Sequence, residues 1–114
     1  MDFHPVHAYT EGLYNEMSVL FDDMAERTII LGDKPYLTIE ELSKATKIET
    51  EKGDSFKSRE IVEKITADFE YLLKSFKKLS VAASEEDDKG TEAFADEKVA
   101  KLEKDLWMLN SMQK

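Results

Sequence analysis

The sequence from Phe3 to Gly32 has the pattern of one long amphipathic helix. Its apolar residues recur at helical spacing and would form a single stripe: Leu13, Tyr14, Met17, Leu20, Phe21 and Met24. Gly32 can adopt the left-handed conformation that ends many helices, and Pro35 follows it closely. We therefore predict a helix that ends at Gly32 and around which the rest of the chain is organised.

Two pairs of polar residues lie within this predicted helix. His7 and Glu11 are one turn apart, and so are Asp22 and Glu26. At about 100° per residue, the three carboxylates fall within about 60° of one another, with His7 beside them. His7 and Asp22 are about 22 Å apart along the helix axis, so no single ion could contact both within one chain. An antiparallel second copy, related by a two-fold axis, would bring the two pairs together twice.

Imidazole and carboxylate groups on facing helices are the ligand set of an iron or manganese site built into a helix bundle. The alternative is a solvated acidic face with local charge pairs. A chain with 25 carboxylates will often align two such pairs by chance. Spacing alone leaves both interpretations open.

Composition restricts the function further. A chain of 114 residues is one small domain, which we place over residues 1–114. It has no cysteine, which excludes a disulfide framework and a thiolate metal site. The net charge of −9 argues against DNA binding and suits a protein that gathers cations. Neither a long apolar run nor a signal-peptide pattern is present, so we expect a cytoplasmic protein and no membrane partner.

A short helix and a loop are predicted after Gly32. Thr38 with Glu41 three residues later is a capping-box pattern, which predicts a short helix from Ile39 to about Ala45. The segment from Lys47 to Ser58 is polar and contains a glycine, which is typical of a loop.

Two longer helices follow. The first runs from Ser58 to about Ala83, and its stripe consists of Ile61, Val62, Ile65, Phe69, Leu72, Leu73, Phe76 and Leu79. The acidic run from Glu85 to Gly90 ends it. Thr91 is the predicted N-cap of the last helix, whose stripe consists of Ala95, Val99, Leu102, Leu106 and Leu109.

Five separated segments resemble the Dps (DNA-protection-during-starvation) family, a branch of the ferritin-like superfamily. They are FHPVH, EGLY, DDMAERTIILGDKP, LTIEELSKATKIE and LEKDLWMLNS. They occur in the family's order and intervals and cover almost the whole chain. The Dps pattern is F-x-x-x-H, an acidic residue four positions later, and then D-x-x-x-E-R. Its positions are matched by Phe3, His7, Glu11, Asp22, Glu26 and Arg27.

The resemblance implies an all-α ferritin-like bundle that stores iron and protects against peroxide stress. In the family, ferrous iron is oxidised to ferric iron, usually with hydrogen peroxide, between two chains related by a two-fold axis. The implied metal ligands here are His7, Glu11, Asp22 and Glu26. The implied cofactor is iron (Fe2+/Fe3+), and the oxygen-rich ligand set favours it over zinc. The implied partner is a second copy of the chain, within a twelve-chain cage in the family.

One feature departs from the family pattern. Dps chains open with a long first helix that carries another histidine, whereas Met1 lies only six residues before His7 here. We therefore expect a ferritin-like bundle without its first helix: three long helices plus one short helix in the connection. Because one histidine ligand is lacking, we expect impaired ferroxidase activity. His4 lies too close to His7 to replace that ligand and is expected at the surface.

Two features of the last helix have alternative interpretations. Asp87, Glu92 and Asp96 match the acidic residues that line three-fold pores in Dps cages, and the alternative is a solvated loop. Trp107 matches a family tryptophan near the metal site, and the alternative is a buried structural ring. The chain ends without a basic tail, so DNA binding is not expected. The alternative function is a degenerate, non-catalytic helical oligomer or interaction protein of the same fold.

Overall fold

The computed structural model describes residues 3–32, 36, 39 and 58–113, with the side chains of residues 8–32, 36, 39 and 60–113. These residues form three α-helices and no strand, namely α1 (Phe3–Leu31), α2 (Ser58–Glu85) and α3 (Lys89–Met112). The all-α class and the three long helices are confirmed. The predicted short helix and loop lie outside the described residues, apart from Ile39, which is helical and buried, and Ser58. The single domain and the lack of a first helix stay predictions.

Helix α1 begins and ends where its sequence predicts. Pro5 lies in the first turn, where a missing N–H breaks no helical hydrogen bond. Gly32 has a φ of 65°, and its N–H donates to the carbonyl oxygens of Thr28 and Ile29, each at 3.2 Å. A glycine in the left-handed conformation therefore ends the helix, as predicted.

One apolar core joins the three helices. Its fully or nearly buried members are Leu13, Met17, Leu20 and Met24 from α1, Val62, Ile65, Phe69, Leu72, Phe76 and Leu79 from α2, and Ala95, Leu102, Leu106 and Leu109 from α3. The predicted stripes are thus confirmed, although five of their members are only half-buried: Tyr14, Phe21, Ile61, Leu73 and Val99. Burial of each large apolar side chain contributes about 1.5–3 kcal/mol to folding, so this stripe holds the bundle together.

The turn between α2 and α3 differs from its prediction. Thr91 is not the N-cap, and Gly90 does not end a helix but lies in the first turn of α3. The N-cap is Asp88, whose carboxylate accepts a hydrogen bond from the Thr91 N–H at 3.1 Å. The local reason is that an aspartate three residues before an N–H in the first turn satisfies it directly.

The left-handed residue that ends α2 is Asp87, with a φ of 55°. Its N–H donates to the carbonyl oxygen of Ser84 at 3.1 Å, and the Asp88 N–H donates to that of Ala83 at 2.8 Å. This pattern closes the C-terminus of a helix and normally uses glycine, but aspartate tolerates the conformation. Helix α3 then turns back along α2, and the two pack closely.

Helix α1 lies antiparallel to α3, because Lys98 of α3 pairs with Asp23 of α1 and Lys101 pairs with the earlier residue Glu16. The Cα atoms span 46 × 25 × 16 Å, so the long axis of the molecule follows the helices. In the part of the chain that the structure describes, none of the helices is both long enough and apolar enough to span a lipid bilayer.

Candidate metal centre

The three predicted carboxylate ligands share the outer face of α1. Glu11, Asp22 and Glu26 are all exposed, and the buried stripe of Leu13 to Met24 lies on the other side of the helix. His7 lies in the first part of α1, but its side chain is outside the described residues. The helix therefore presents its acidic residues away from the core of its own chain.

A single chain does not bring these residues together into a site. Glu11 and Asp22 are eleven residues apart, which is about 16 Å along a helix. Among the residues with described side chains, no group of three or more histidine, cysteine, aspartate or glutamate residues could hold a metal ion. A metal site at this face needs ligands from a second chain or from residues outside the described part.

Large exposed apolar side chains lie on the outer face or at its edge. Ile29 is 79% exposed, Ile30 is 68% exposed and Val19 is 58% exposed. Three β-branched apolar residues beside Asp22 and Glu26 are unusual for a surface that meets only water. The mixture of acidic ligand candidates and exposed apolar groups is what a face covered by another chain would contain.

Two lysines of α3 fix α1 from its inner flank. The Lys98 Nζ lies 2.9 Å from the Asp23 Oδ2, and the Lys101 Nζ lies 3.0 Å from the Glu16 Oε1. Lys101 also lies 3.0 Å from the Oδ1 of Asp105, which is only 5% exposed. Asp105 is thus a buried carboxylate whose ion-pair partner, Lys101, also contacts α1.

Burial and charge shift the pKa values in this cluster. Burial raises the pKa of Glu16, and the nearby Asp105 raises it further, against the lowering effect of Lys101. Burial alone would lower the pKa of Lys101, but its hydrogen bonds to Asp105 and Glu16 outweigh burial and raise it. Burial also raises the pKa of Tyr9, with Asp105 and Glu16 adding to the shift. The Tyr9 hydroxyl is buried and has no hydrogen-bond partner among the described residues.

The arginine of the matched motif faces α3 rather than the outer face. The Arg27 guanidinium carbon lies 5.7 Å from the centre of the Phe94 ring, and the Lys98 Nζ lies 5.4 Å from the same centre. Both distances suit cation–π attraction. Arg27 therefore anchors the end of α1 that carries Asp22 and Glu26.

The predicted pore residues lie at one end of the bundle. Glu92 is half-buried in the first turn of α3, and Asp96 follows one turn later, where it accepts a hydrogen bond from the Ser80 hydroxyl at 2.5 Å. Asp87 is exposed and lies 3.7 Å from the Lys89 Nζ. A three-fold pore requires three chains, so the pore stays a prediction.

Trp107 is 66% exposed, so its prediction as a buried structural ring is wrong for the single chain. It lies one residue after the buried Leu106, and a step of about 100° turns it away from the core. Whether it lies near a metal site stays a prediction.

The sequence did contain a signal for Asp105, although it was not recognised. Positions 95, 98, 102, 105 and 109 follow steps of three and four, so residues 98 and 105 belong to the inward face of α3. A lysine and an aspartate on an otherwise apolar stripe indicate charges that need an ion-pair partner. The partner on α1 could not be predicted, because spacing within one helix carries no information on its neighbour.

Comparison with known proteins gives the family. Residues 1–114 match the family described as Ferritin-like domain. A DNA protection during starvation protein of Helicobacter pylori is 43% identical over 110 residues, covering 96% of this chain and 76% of that protein. A protein of the same description from Brevibacillus brevis is 34% identical over 111 residues, covering 96% and 73%. The crystal structure of Helicobacter cinaedi CAIP has a TM-score of 0.81 and 46% identity, covering 100% of this chain and 80% of that one. The chain therefore belongs to the ferritin-like family and, within it, to the Dps proteins.

Proposed function

We propose that this protein binds and oxidises ferrous iron at sites shared between two copies of the chain, and that it stores the ferric product and consumes peroxide. Membership of the ferritin-like family and of the Dps proteins supports iron storage and stress protection. The observation that carries the specific site is the outer face of α1. Glu11, Asp22 and Glu26 lie there beside exposed apolar residues, outside the chain's own core.

Two antiparallel α1 helices would form two equivalent sites. If the two-fold axis lies midway between the two pairs, His7 and Glu11 of one chain lie opposite Asp22 and Glu26 of the other. Three carboxylates and one imidazole suit both ferrous and ferric iron. Val19, Ile29 and Ile30 would be removed from water in the same contact, which supplies an apolar contribution to association.

Iron is the substrate in this proposal. Two ferrous ions each lose one electron, and one hydrogen peroxide accepts both, so its O–O bond breaks. With two protons, the two oxygen atoms leave as two water molecules. The role of the chain is to hold the metal ions close together and to stabilise the ferric charge with its carboxylates. The net charge of −9 and the acidic residues Asp87, Glu92 and Asp96 would raise the local concentration of divalent cations.

Removal of one ligand tests the chemistry. Ferrous iron is added without oxygen, peroxide follows, and the absorbance of the ferric product is recorded. We expect Asp22→Ala to slow the reaction by at least about tenfold, since even groups that only support metal ligands cost 10–100-fold when removed. Glu103→Ala is the matched control, because Glu103 is an exposed acidic residue on α3. Equal rates in Asp22→Ala and the unaltered protein would contradict the proposal.

Mixing two inactive variants tests the location between chains. His7→Ala and Asp22→Ala are unfolded together and refolded as a mixture. In a mixed pair, one site has both substitutions and the other has none, so random pairing restores about a quarter of all sites. A site built within one chain would stay inactive in the mixture. An oligomer that takes up no iron at all would favour the non-catalytic alternative.

The cytoplasmic location stays a prediction.

A further inference from the structure

We propose that Lys101 and Asp105 of α3 are positioning residues for the candidate iron site, because they set the rotation of α1 about its own axis. The reference to iron rests on the proposed function, whereas the positioning of α1 is a property of the chain itself. Both residues belong to α3, and neither is a candidate metal ligand.

Two attachment points on one helix define its rotation and its register. Glu16 and Asp23 are the two α1 residues that the lysines contact, and they are seven residues apart. Seven residues are about two turns, so both carboxylates lie on the same side of α1, about 10 Å apart along its axis. That side lies about a third of a turn from the outer face that carries Glu11 and Asp22.

The apolar contacts between the helices restrain the rotation of α1 less sharply. A cleft of about 330 Å³ opens beside α1, and its apolar lining consists of Met17, Val19, Leu20, Phe69, Leu72 and Leu102. The two lysines and Asp105 also line it. Apolar attraction is not directional, and α1 packs less closely than α2 and α3 pack with each other. Directional ion pairs across this incompletely filled contact therefore add to the restraint that the buried stripe places on the rotation of α1.

Asp105 is the buried member of the ion-pair network that it forms with Lys101 and Glu16. It is 5% exposed, whereas Lys101 and Glu16 are both exposed residues at the mouth of the cleft. An exposed lysine on its own samples many conformations, and its ion pairs are weak. A buried carboxylate one turn away holds the Lys101 Nζ at 3.0 Å and so directs it towards Glu16 at the same distance. Asp105 therefore orients Lys101, and Lys101 orients α1 through Glu16.

The tolerance of a metal site makes this rotation important. A helix is about 10–12 Å in diameter, so a rotation of about 20° moves its outer side chains by about 2 Å. Metal–ligand distances must be correct within about 0.2 Å. A modest rotation of α1 would therefore displace Glu11 and Asp22 from a shared ion although both residues remain present.

Three variants of α3 test the proposal. Lys101→Met removes the charge and keeps the length of the side chain, Lys101→Arg restores a donor to both carboxylates, and Lys104→Met is the control at an exposed lysine of the same helix. The dissociation constant for ferrous iron is measured without oxygen, alongside the thermal midpoint. We expect the dissociation constant to rise at least about fivefold in Lys101→Met and to stay within about twofold of the unaltered protein in the other two variants. An unchanged constant in Lys101→Met, or an equal loss in Lys101→Arg, overturns the proposal.

Amide hydrogen exchange separates this proposal from the proposed function, because it needs no iron. We expect Lys101→Met to accelerate exchange over residues 8–24 of α1 and to leave α2 unchanged. Unchanged exchange in α1, or equal acceleration in α1 and α2, overturns the positioning role. If the unaltered protein binds no iron, the proposed function fails, and the exchange comparison alone decides whether Lys101 positions α1.

Discussion

At the scale of single residues, Asp88 connects three parts of the chain. Its carboxylate accepts hydrogen bonds from the Thr91 N–H at 3.1 Å, the Thr91 hydroxyl at 2.6 Å and the Tyr36 hydroxyl at 3.1 Å. The hydrogen bond from the Thr91 side chain is the main reason that its pKa is lowered, against the effect of burial. Burial, together with Asp88, raises the pKa of Tyr36. One carboxylate thus starts α3 and holds Tyr36 against it.

Removal of this carboxylate should destabilise the protein in a pH-dependent way. We expect Asp88→Ala to lower the free energy of unfolding by about 1–2 kcal/mol at pH 7, which is the usual cost of losing an N-cap. Because folding lowers the pKa of Asp88 below its ordinary value of 3.8, the contribution of the charge is complete above that value. It disappears as the pH falls through the lower pKa of the folded state.

Urea unfolding at pH 7 and at pH 3 measures this effect. Asp88→Asn is the control, since asparagine keeps a cap oxygen without the charge. The stability difference between the unaltered protein and Asp88→Asn should shrink at pH 3. A difference that is the same at both pH values would show that the charge of Asp88 does not contribute.

At the scale of helices, α1 contains a glycine whose replacement should stabilise the protein. Gly12 lies in its interior and is exposed, and beyond the adjacent backbone no atom of the described residues lies within 4 Å of the position that a Cβ would take. Gly32 at its end also has free space, but its φ of 65° favours glycine. Gly12 within α1 and Gly32 directly after it both lack a steric conflict, but they differ in backbone conformation.

The two glycines predict opposite effects of the same substitution. Gly12→Ala should raise the free energy of unfolding by about 0.5–1 kcal/mol, because alanine loses less backbone freedom in a helix. Gly32→Ala should lower it by about 1–2 kcal/mol, because a Cβ is strained in the left-handed region. The urea midpoint measures both changes. A lower midpoint in Gly12→Ala would indicate that another chain contacts this position.

At the scale of the whole molecule, three helices leave one long face of α1 without a covering element among the described residues. The Cα atoms extend only 16 Å in the thinnest direction, which is less than two helix diameters. Ile29 and Ile30 lie on this uncovered face. The described residues leave both side chains in water, so we expect association between copies to cover them.

A single polar substitution should weaken that association without unfolding the chain. Ile29→Asn should raise the dissociation constant of the oligomer by about tenfold, since loss of a buried apolar anchor costs more than about 1 kcal/mol. Light scattering at several protein concentrations gives the mass. Val81→Asn is the matched control, because Val81 is also β-branched and exposed but lies on α2. If the two variants have the same mass profile, α1 is not the associating face.

Much of the fold could be predicted from the sequence, for a local reason. The bounds of α1, its end at Gly32 and most buried positions of the three helices follow from spacing and capping, which act within about four residues. The alignment of Glu11, Asp22 and Glu26 on one face follows from the same periodicity. The N-cap of α3 was assigned wrongly to Thr91, because aspartate and threonine in one short turn are both good caps.

By itself, the sequence determined which residues share a face of each helix, and hence that the acidic pairs of α1 point in one direction. Only the tertiary structure decided that Trp107 is exposed, and that Lys101 joins the buried Asp105 to Glu16. The physical reason is that helical periodicity is a short-range property of the backbone. Burial and charge pairing depend on which side chains another helix places opposite, at a separation of 85 residues for Lys101 and Glu16.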